Sequence, residues 1–453
     1  MVAQILAICI FVGMFLLIIL DKFERYYITL TSGALVLALV FGVCMHSMSA
    51  IWGTLNLPSI FTSGFWYGAS EEGNSGINWS TIFFIAGMMI MVEGLGKAGF
   101  FRWLCLTLAK LVRYRIVPLL VCFMVLSAVL SMFIDSITVV LFLATVTLEL
   151  AQTMKFNPIP MILSEVFCAN LGGAATMCGE PPNIIVGTSL GYTFFDFISN
   201  TGVAVAICFV LVLIYFVLCF RKRLLRDEKN SGAAVCPQPG TAITNRPAFL
   251  LSAGVFLLAV ILLATHAQTK LTVACIGVIV AALSLVVIGC TSGGKAVLEI
   301  IKGVDYKTLL FFIGLFVSVA GLKETGVLDV IARFITTVSG GNAAIIVVII
   351  LWISAVTSAF VDNIPFAATM IPVVRSIAAA SGIDMGVLAW ALSLGTDLGG
   401  NATPIGASAN VVGTSVAAKG GYPISWGVYC KYCVGATVLV IAVSMGYLFL
   451  RYL

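Results

Sequence analysis

The sequence predicts an all-α polytopic membrane protein built from two inverted repeats, each of five transmembrane helices plus one re-entrant hairpin. Three observations predict it. First, 61% of the 453 residues are hydrophobic and 9% are charged, with a mean hydropathy of +1.14; soluble domains average about 45–50% apolar and about 25% charged. The apolar runs are about 20 residues long, the length a helix needs to cross hydrocarbon, and lack the short alternating segments of a membrane barrel. Second, residues 81–183 align with residues 308–410 at a constant offset of 227 without a gap. Third, the apolar stretches 116–151 and 343–378 are too long for one crossing, and each carries a polar break in its middle. This composition excludes a soluble enzyme, a disordered chain and a nucleic-acid binder; the net charge is only +5 and the basic residues are scattered.

In chain order, the first repeat (1–220) has spans near 2–20, 27–44, 80–96, 160–190 and 199–220. Residues 2–20 lack a basic leader and a small-residue cleavage site, so they read as a retained helix. The stretch 116–151 is one hairpin and 160–190 is one interrupted helix. A polar linker (221–246) leads to the second repeat (247–453), with spans near 247–265, 268–289, 306–322, 385–418 and 426–450. There 343–378 is the hairpin and 385–418 the interrupted helix. The gapless alignment pairs Gly87 with Gly314, Gly99 with Gly326, Ser131 with Ser358, Asp135 with Asp362, Thr176 with Thr403 and Asn183 with Asn410. Upstream, Gly13/Gly254, Phe15/Phe256 and Thr31/Thr272 match at offset 241, the difference falling in the loop 45–79.

Five crossings are an odd number, so the halves point in opposite directions, the pattern of secondary transporters. With both termini outside, 19 of the 24 basic residues fall on the inner side, Lys22, Arg25, Lys307 and the basic run of the linker among them. Only Lys270, Lys323, Arg333, Arg375 and Arg451 fall outside. The linker is then cytoplasmic, the first hairpin opens from the cytoplasm and the second from outside. A bacterial plasma membrane is the expected location.

An acid in hydrocarbon costs roughly 2.5–3.5 kcal/mol on insertion scales, so each intramembrane acid is a functional candidate. Asp135 and Asp362 are counterparts at the hairpin tips, beside Ser136, Thr138 and Asn363. Asp397 is the counterpart of Asn170, Glu180 of Ala407 and Glu93 of Ala320. Glu149 and Glu165 read as interfacial acids. Gly172-Gly173 and Gly399-Gly400 are expected to supply backbone angles that other residues resist, while Pro181, Pro182 and Pro404 end helices. Carbonyls freed at the breaks, with Thr176, Asn183, Asn401, Thr403, Ser408 and Asn410, are expected to bind a hard cation such as sodium. The alternative is that these are kinks that merely pack helices. Thirteen cysteines, mostly within apolar runs, form no disulfide framework, and Cys430-Cys433 carries no metal or redox assignment. No cofactor is expected beyond bound sodium ions, and no phosphate-binding loop is present.

The segments CANLGGAATMCGEPPNIIVG (168–187), VDNIPFAATMIP (361–372) and GTDLGGNATPIGASANVVG (395–413) resemble the ion transporter superfamily. They are most similar to the branch of arsenite permeases, NhaD-type sodium/proton antiporters and the melanosomal P protein. The resemblance implies an elevator mechanism: a scaffold, and a transport domain of hairpins and broken helices, usually in a homodimer. It also implies that helices 98–112 and 324–340 are the arms joining the two domains. Related sodium/dicarboxylate transporters carry Ser-Asn-Thr at the tips; here the tips are acidic and the motifs hold no basic counter-charge.

The expected function is therefore secondary active transport by alternating access, with a small ion or small molecule as substrate and the bilayer as surroundings. Sodium/proton antiport is the leading expectation. Arsenite efflux, sodium- or proton-coupled transport of an organic anion (dicarboxylate- or citrate-like) and a passive channel are the alternatives.

Overall fold

The computed structural model describes residues 1–20, 22–68, 76–230 and 237–453. Segments 69–75 of the first loop and 231–236 of the linker lie outside the described residues. Every named element among the described residues is helical, and Tyr67 and Leu271 meet in one isolated bridge. Eleven helices are long and apolar enough to cross a membrane. Three of these are hairpin arms, each 18 or 19 residues long. The two interrupted helices are absent from that set because their halves are short.

The chain begins with α1 (Val2–Leu20) and α2 (Arg25–Leu35), which continues as a π-helical stretch to Cys44. Two short helices, α3 (Met48–Leu55) and α4 (Ser63–Trp66), precede α5 (Trp79–Lys97) and α6 (Phe100–Leu111). The first hairpin is α7 (Ile116–Ser131) and α8 (Ser136–Met154). The first broken helix is α9 (Ile159–Gly173) and α10 (Pro181–Leu190); α11 (Phe194–Phe197) and α12 (Val203–Asn230) follow. Beyond the linker come α13 (Arg246–Thr269), α14 (Val273–Ser292), α15 (Gly294–Gly303), α16 (Tyr306–Glu324) and α17 (Val327–Val338). The second hairpin is α18 (Ala343–Phe360) and α19 (Asn363–Ser381). The second broken helix is α20 (Met385–Gly399) and α21 (Ser408–Lys419), and α22 (Trp426–Tyr452) ends the chain.

Local chemistry explains the boundaries. Asn78 caps α5 by accepting from Thr81 N, and Asp305 caps α16 by accepting from Thr308 N, each satisfying an amide the helix cannot. Gly99 (φ 85°) and Gly326 (φ 75°) turn the chain from α5 into α6 and from α16 into α17, in a left-handed conformation that a side chain resists. Pro181 and Pro182 open α10, where a missing amide costs nothing. The upstream 241-residue register does not reach the helix boundaries: Thr272 caps α14, whereas Thr31 lies inside α2.

Lipid is as apolar as a leucine, so these helices associate by close packing rather than by escaping water. Helix α5 lies along α14 and α2 along α16. At Gly87 an added Cβ would stand 2.2 Å from Gly277 O, and at Gly314 it would stand 2.3 Å from Thr29 C. In a second region α7 packs on α9 and α18 on α20, while α21 lies against α8 and α9, and α10 against α19. The two broken helices thus interlock with the two hairpins.

Gly314→Ala should therefore force backbone apart and destabilise the protein by about 1–3 kcal/mol. Gly446→Ala, with nothing within 4 Å of the new methyl, should be neutral or slightly stabilising. Thermal unfolding of the two purified variants beside the wild type checks the contrast.

Candidate functional site

The two acidic tips cap the second arm of each hairpin. At the first, Asp135 accepts from Ile137 N (2.9 Å), Thr138 N (3.3 Å) and Thr138 Oγ1 (2.6 Å). At the second, Asp362 accepts from Ile364 N (3.2 Å) and from Ser408 Oγ at the start of α21 (3.1 Å). Asp362 also forms an ion pair with Arg25 Nη1 at 2.6 Å. The motifs themselves hold no basic residue, as expected; the counter-charge of Asp362 comes from α2, far from them in sequence, while the hydrogen bonds to Asp135 come from neutral groups. Ser136 and Asn363 are buried beside the two acids.

Each break is held by an asparagine. Asn183 Nδ2 donates to Gly173 O (3.3 Å) and Thr176 O (3.0 Å). Asn410 Nδ2 donates to Gly400 O and Thr403 O, both at 2.8 Å. The threonines tie the breaks to the hairpin tips: Thr176 Oγ1 donates to Met132 O, and Thr403 Oγ1 to Ala359 O. Carbonyls expected to be open to a cation are therefore already engaged by amides. The breaks also meet each other, since Asn170 Nδ2 donates to Asn401 Oδ1 (2.9 Å) and Asn410 Oδ1 (2.8 Å).

The glycine pairs work differently from the sequence expectation. Gly172 and Gly173 do not have positive φ, and Gly399 and Gly400 have ordinary helical φ of −62° and −55°. Their purpose is close approach. A Cβ on Gly172 would stand 2.1 Å from Ala128 O, and one on Gly399 would stand 2.3 Å from Ala355 Cα. Each hairpin's first arm therefore touches the backbone of a broken helix.

Asp397 is fully buried, and neither carboxylate oxygen has a hydrogen-bond partner. Glu180 is also buried, with Oε1 unpartnered and lying over Gly173. Glu165 is not interfacial: it is fully buried in α9, where Thr147 Oγ1 donates to it at 2.5 Å. Its apolar flanks gave no sign of this beyond the long hydrophobic run. Glu149 pairs with Arg102 at 2.7 Å, and Glu93 lies 3.8 Å from Lys97; both side chains are more than a third exposed.

Two cavities flank this region. The smaller, about 660 Å³, reaches both tips: Asp135, Thr138, Asp362 and Ser408 line it. Its walls carry three basic side chains (Lys22, Arg25 and Lys307) and five acidic ones (Glu24, Glu93, Asp135, Asp305 and Asp362). The larger, about 1100 Å³, opens between α10, the loop before α5 and α19, with Lys270, Lys323 and Arg375 among its walls. Asn170, Asn183, Asp397, Asn401 and Asn410 are buried and line neither. Cys178 lines the smaller cavity, while Cys168 is buried within α9. Among the described residues no group of His, Cys, Asp or Glu is placed to hold a metal ion.

Helices of membrane-spanning length, two cavities and buried acids are the frame of a polytopic membrane protein, and the family it matches and its relatives make it a transporter. A family model described as a citrate transporter (CitMHS) matches residues 15–395, and the chain belongs to that family, within the ion transporter superfamily. It is 33% identical over 451 residues to an uncharacterized transporter of Mycobacterium bovis, covering 99% of both chains. It is 27% identical over 453 residues to the human P protein, spanning 83% of this chain and about half (53%) of that protein. The fold is shared with the YdaH transporter of Alcanivorax borkumensis (TM-score 0.56, 16% identity, 81% of this chain and 84% of that one). It is shared equally with Neisseria gonorrhoeae MtrF (TM-score 0.56, 12% identity, 90% and 86%).

Asn410→Ala should leave Gly400 O, Thr403 O and the Asn170 amide without their shared partner. A buried orphaned group costs about 1–3 kcal/mol, so a clear fall in the melting temperature is expected, measured on detergent-purified protein against wild type.

Proposed function

We propose that this transporter is secondary active, works by alternating access and is coupled to a cation, with sodium/proton exchange as its reaction. One observation carries the reading: the carboxylates of both hairpin tips converge on a single cavity whose walls hold more acid than base. Such walls attract a small cation and repel a free polyanion. A tip carboxylate that takes sodium when ionised and a proton otherwise performs exchange by alternate occupancy.

The two halves act as inverted repeats in this reading. In its support, α8 and α19, α6 and α17, and α5 and α16 all begin and end 227 residues apart. The asparagine and threonine contacts of the breaks recur at the same spacing. The basic residues lining the smaller cavity all belong to the cytoplasmic set, and those of the larger one to the external set. The tips are then reached from the cytoplasm of a bacterial cell through the smaller cavity, with both chain termini outside. The interlocked hairpins and broken helices move as one elevator body against the packed α2, α5, α14 and α16.

The family description favours a second reading, cation-coupled transport of citrate or a similar organic anion. Against acid-rich walls, such an anion must enter with its cations.

In proteoliposomes with an imposed pH gradient and a pH-sensitive dye, added sodium should collapse the gradient. Asp135→Asn and Asp362→Asn should each reduce the rate at least tenfold without loss of folded protein. Full exchange in Asp362→Asn would refute the assignment of the tips. No response of the wild type to sodium, lithium or potassium, with citrate uptake present, would favour the second reading.

A further inference from the structure

Asp135 and Asp362 stand at equivalent positions but are satisfied differently. The hydrogen bonds to Asp135 come from its own helix, two of them from Thr138. At the second tip Pro365 occupies the place of Thr138, and proline offers neither hydroxyl nor amide hydrogen. Asp362 keeps one bond from its own helix, Ile364 N. Two others come from elsewhere, Ser408 Oγ on α21 and Arg25 Nη1 on α2.

Arg25 is the first residue of α2, which is fastened along α16 where Gly33 and Gly314 let the backbones close. A side chain rooted in one packed group of helices thus holds a hairpin tip that belongs to another. The burial of the two partners is unequal, with side-chain exposure of 33% for Arg25 and 5% for Asp362. Both partners line the smaller cavity, the guanidinium being the more exposed of the two. A buried carboxylate stripped of its counter-charge is strongly disfavoured, so the tip does not part from Arg25 unless another positive charge takes its place.

We propose that Arg25 is a tethered counter-cation that holds the Asp362 tip against α2 until a monovalent cation or proton from the smaller cavity replaces it. Arg25 is then a positioning residue: it keeps the unloaded hairpin in place and ties release of the tip to cation arrival. Asp135, whose donors are neutral groups of its own helix, has no such tether among its hydrogen bonds. The proposal rests on the reading of this cavity as the cation's route.

Hydrogen–deuterium exchange on the full chain in lipid nanodiscs tests it. Arg25→Gln should speed exchange in the first turn of α19, including Ile364 N, by roughly tenfold, the size expected for one charge-assisted hydrogen bond. The first turn of α8 should be unchanged. Arg25→Lys, which keeps the charge, should restore most of the protection. Asp362→Asn removes the same contact from the other side, and the double variant should add nothing further. Unchanged exchange at α19 in Arg25→Gln, or equal loosening of both tips, would overturn the proposal. If Arg25→Gln does not fold, Asp362→Asn reads the same contact alone, and unchanged exchange there would overturn it too. These readouts need no transport, so a failed sodium/proton assay with a loosened α19 tip removes the antiport reading and leaves the tether.

Discussion

Two helices are broken in the middle of the protein, and each break frees backbone groups where no bulk water reaches. In such surroundings an unpaired peptide group costs several kcal/mol. Asn183 and Asn410 meet this constraint by each bridging two carbonyls across its own break. Much else follows from that arrangement. The threonines of the breaks reach back to the carbonyls just before each tip. The glycines bring the hairpin arms against the broken helices. Asn170 then joins one break to the other. Irregular backbone thereby becomes a cross-linked, largely buried unit against which the two tips are held.

Much of this was legible in the sequence because its signals recur 227 residues apart. The hairpins, the breaks and the acidic tips stood out as matched pairs, and most helix boundaries fall within a few residues of the expected ones, but α12 runs on to Asn230, ten residues into the expected linker. Contacts made by single residues of one half were not legible. Arg25 lies at the head of an otherwise apolar helix, and nothing in its neighbours says that it reaches residue 362. Glu165 was misread for a related reason: hydropathy reports average polarity along a helix but not which face a side chain occupies. The glycine pairs were misread because sequence does not distinguish a glycine needed for its φ from one needed for its missing Cβ.

Where the two halves differ, the differences are concentrated in charge. Asp397 stands opposite an asparagine, Glu180 opposite an alanine and Thr138 opposite a proline in the repeat alignment. Two of these exchanges change contacts: Thr138 donates to Asp135 where Pro365 has no donor for Asp362, and Asn170 joins the two breaks where both oxygens of Asp397 are unpartnered. An unpaired acid at membrane depth is retained at a cost.

The same electrostatics constrain what can occupy the smaller cavity. Lys307 is engaged by Glu24 at 2.7 Å and Arg25 by Asp362 at 2.6 Å, so two of the three positive charges are already answered. Asp135 and Asp305 are met by neutral donors. What remains on the walls is Lys22 against Asp135, Asp305 and Glu93, the last of these beside Lys97, so acid still exceeds base. A sodium ion or a proton lowers that field energy on arrival, whereas a carboxylate substrate raises it unless it brings cations with it. The family's description and the cavity's charge are reconciled in the proposed reading, in which any anion that moves brings positive charge with it.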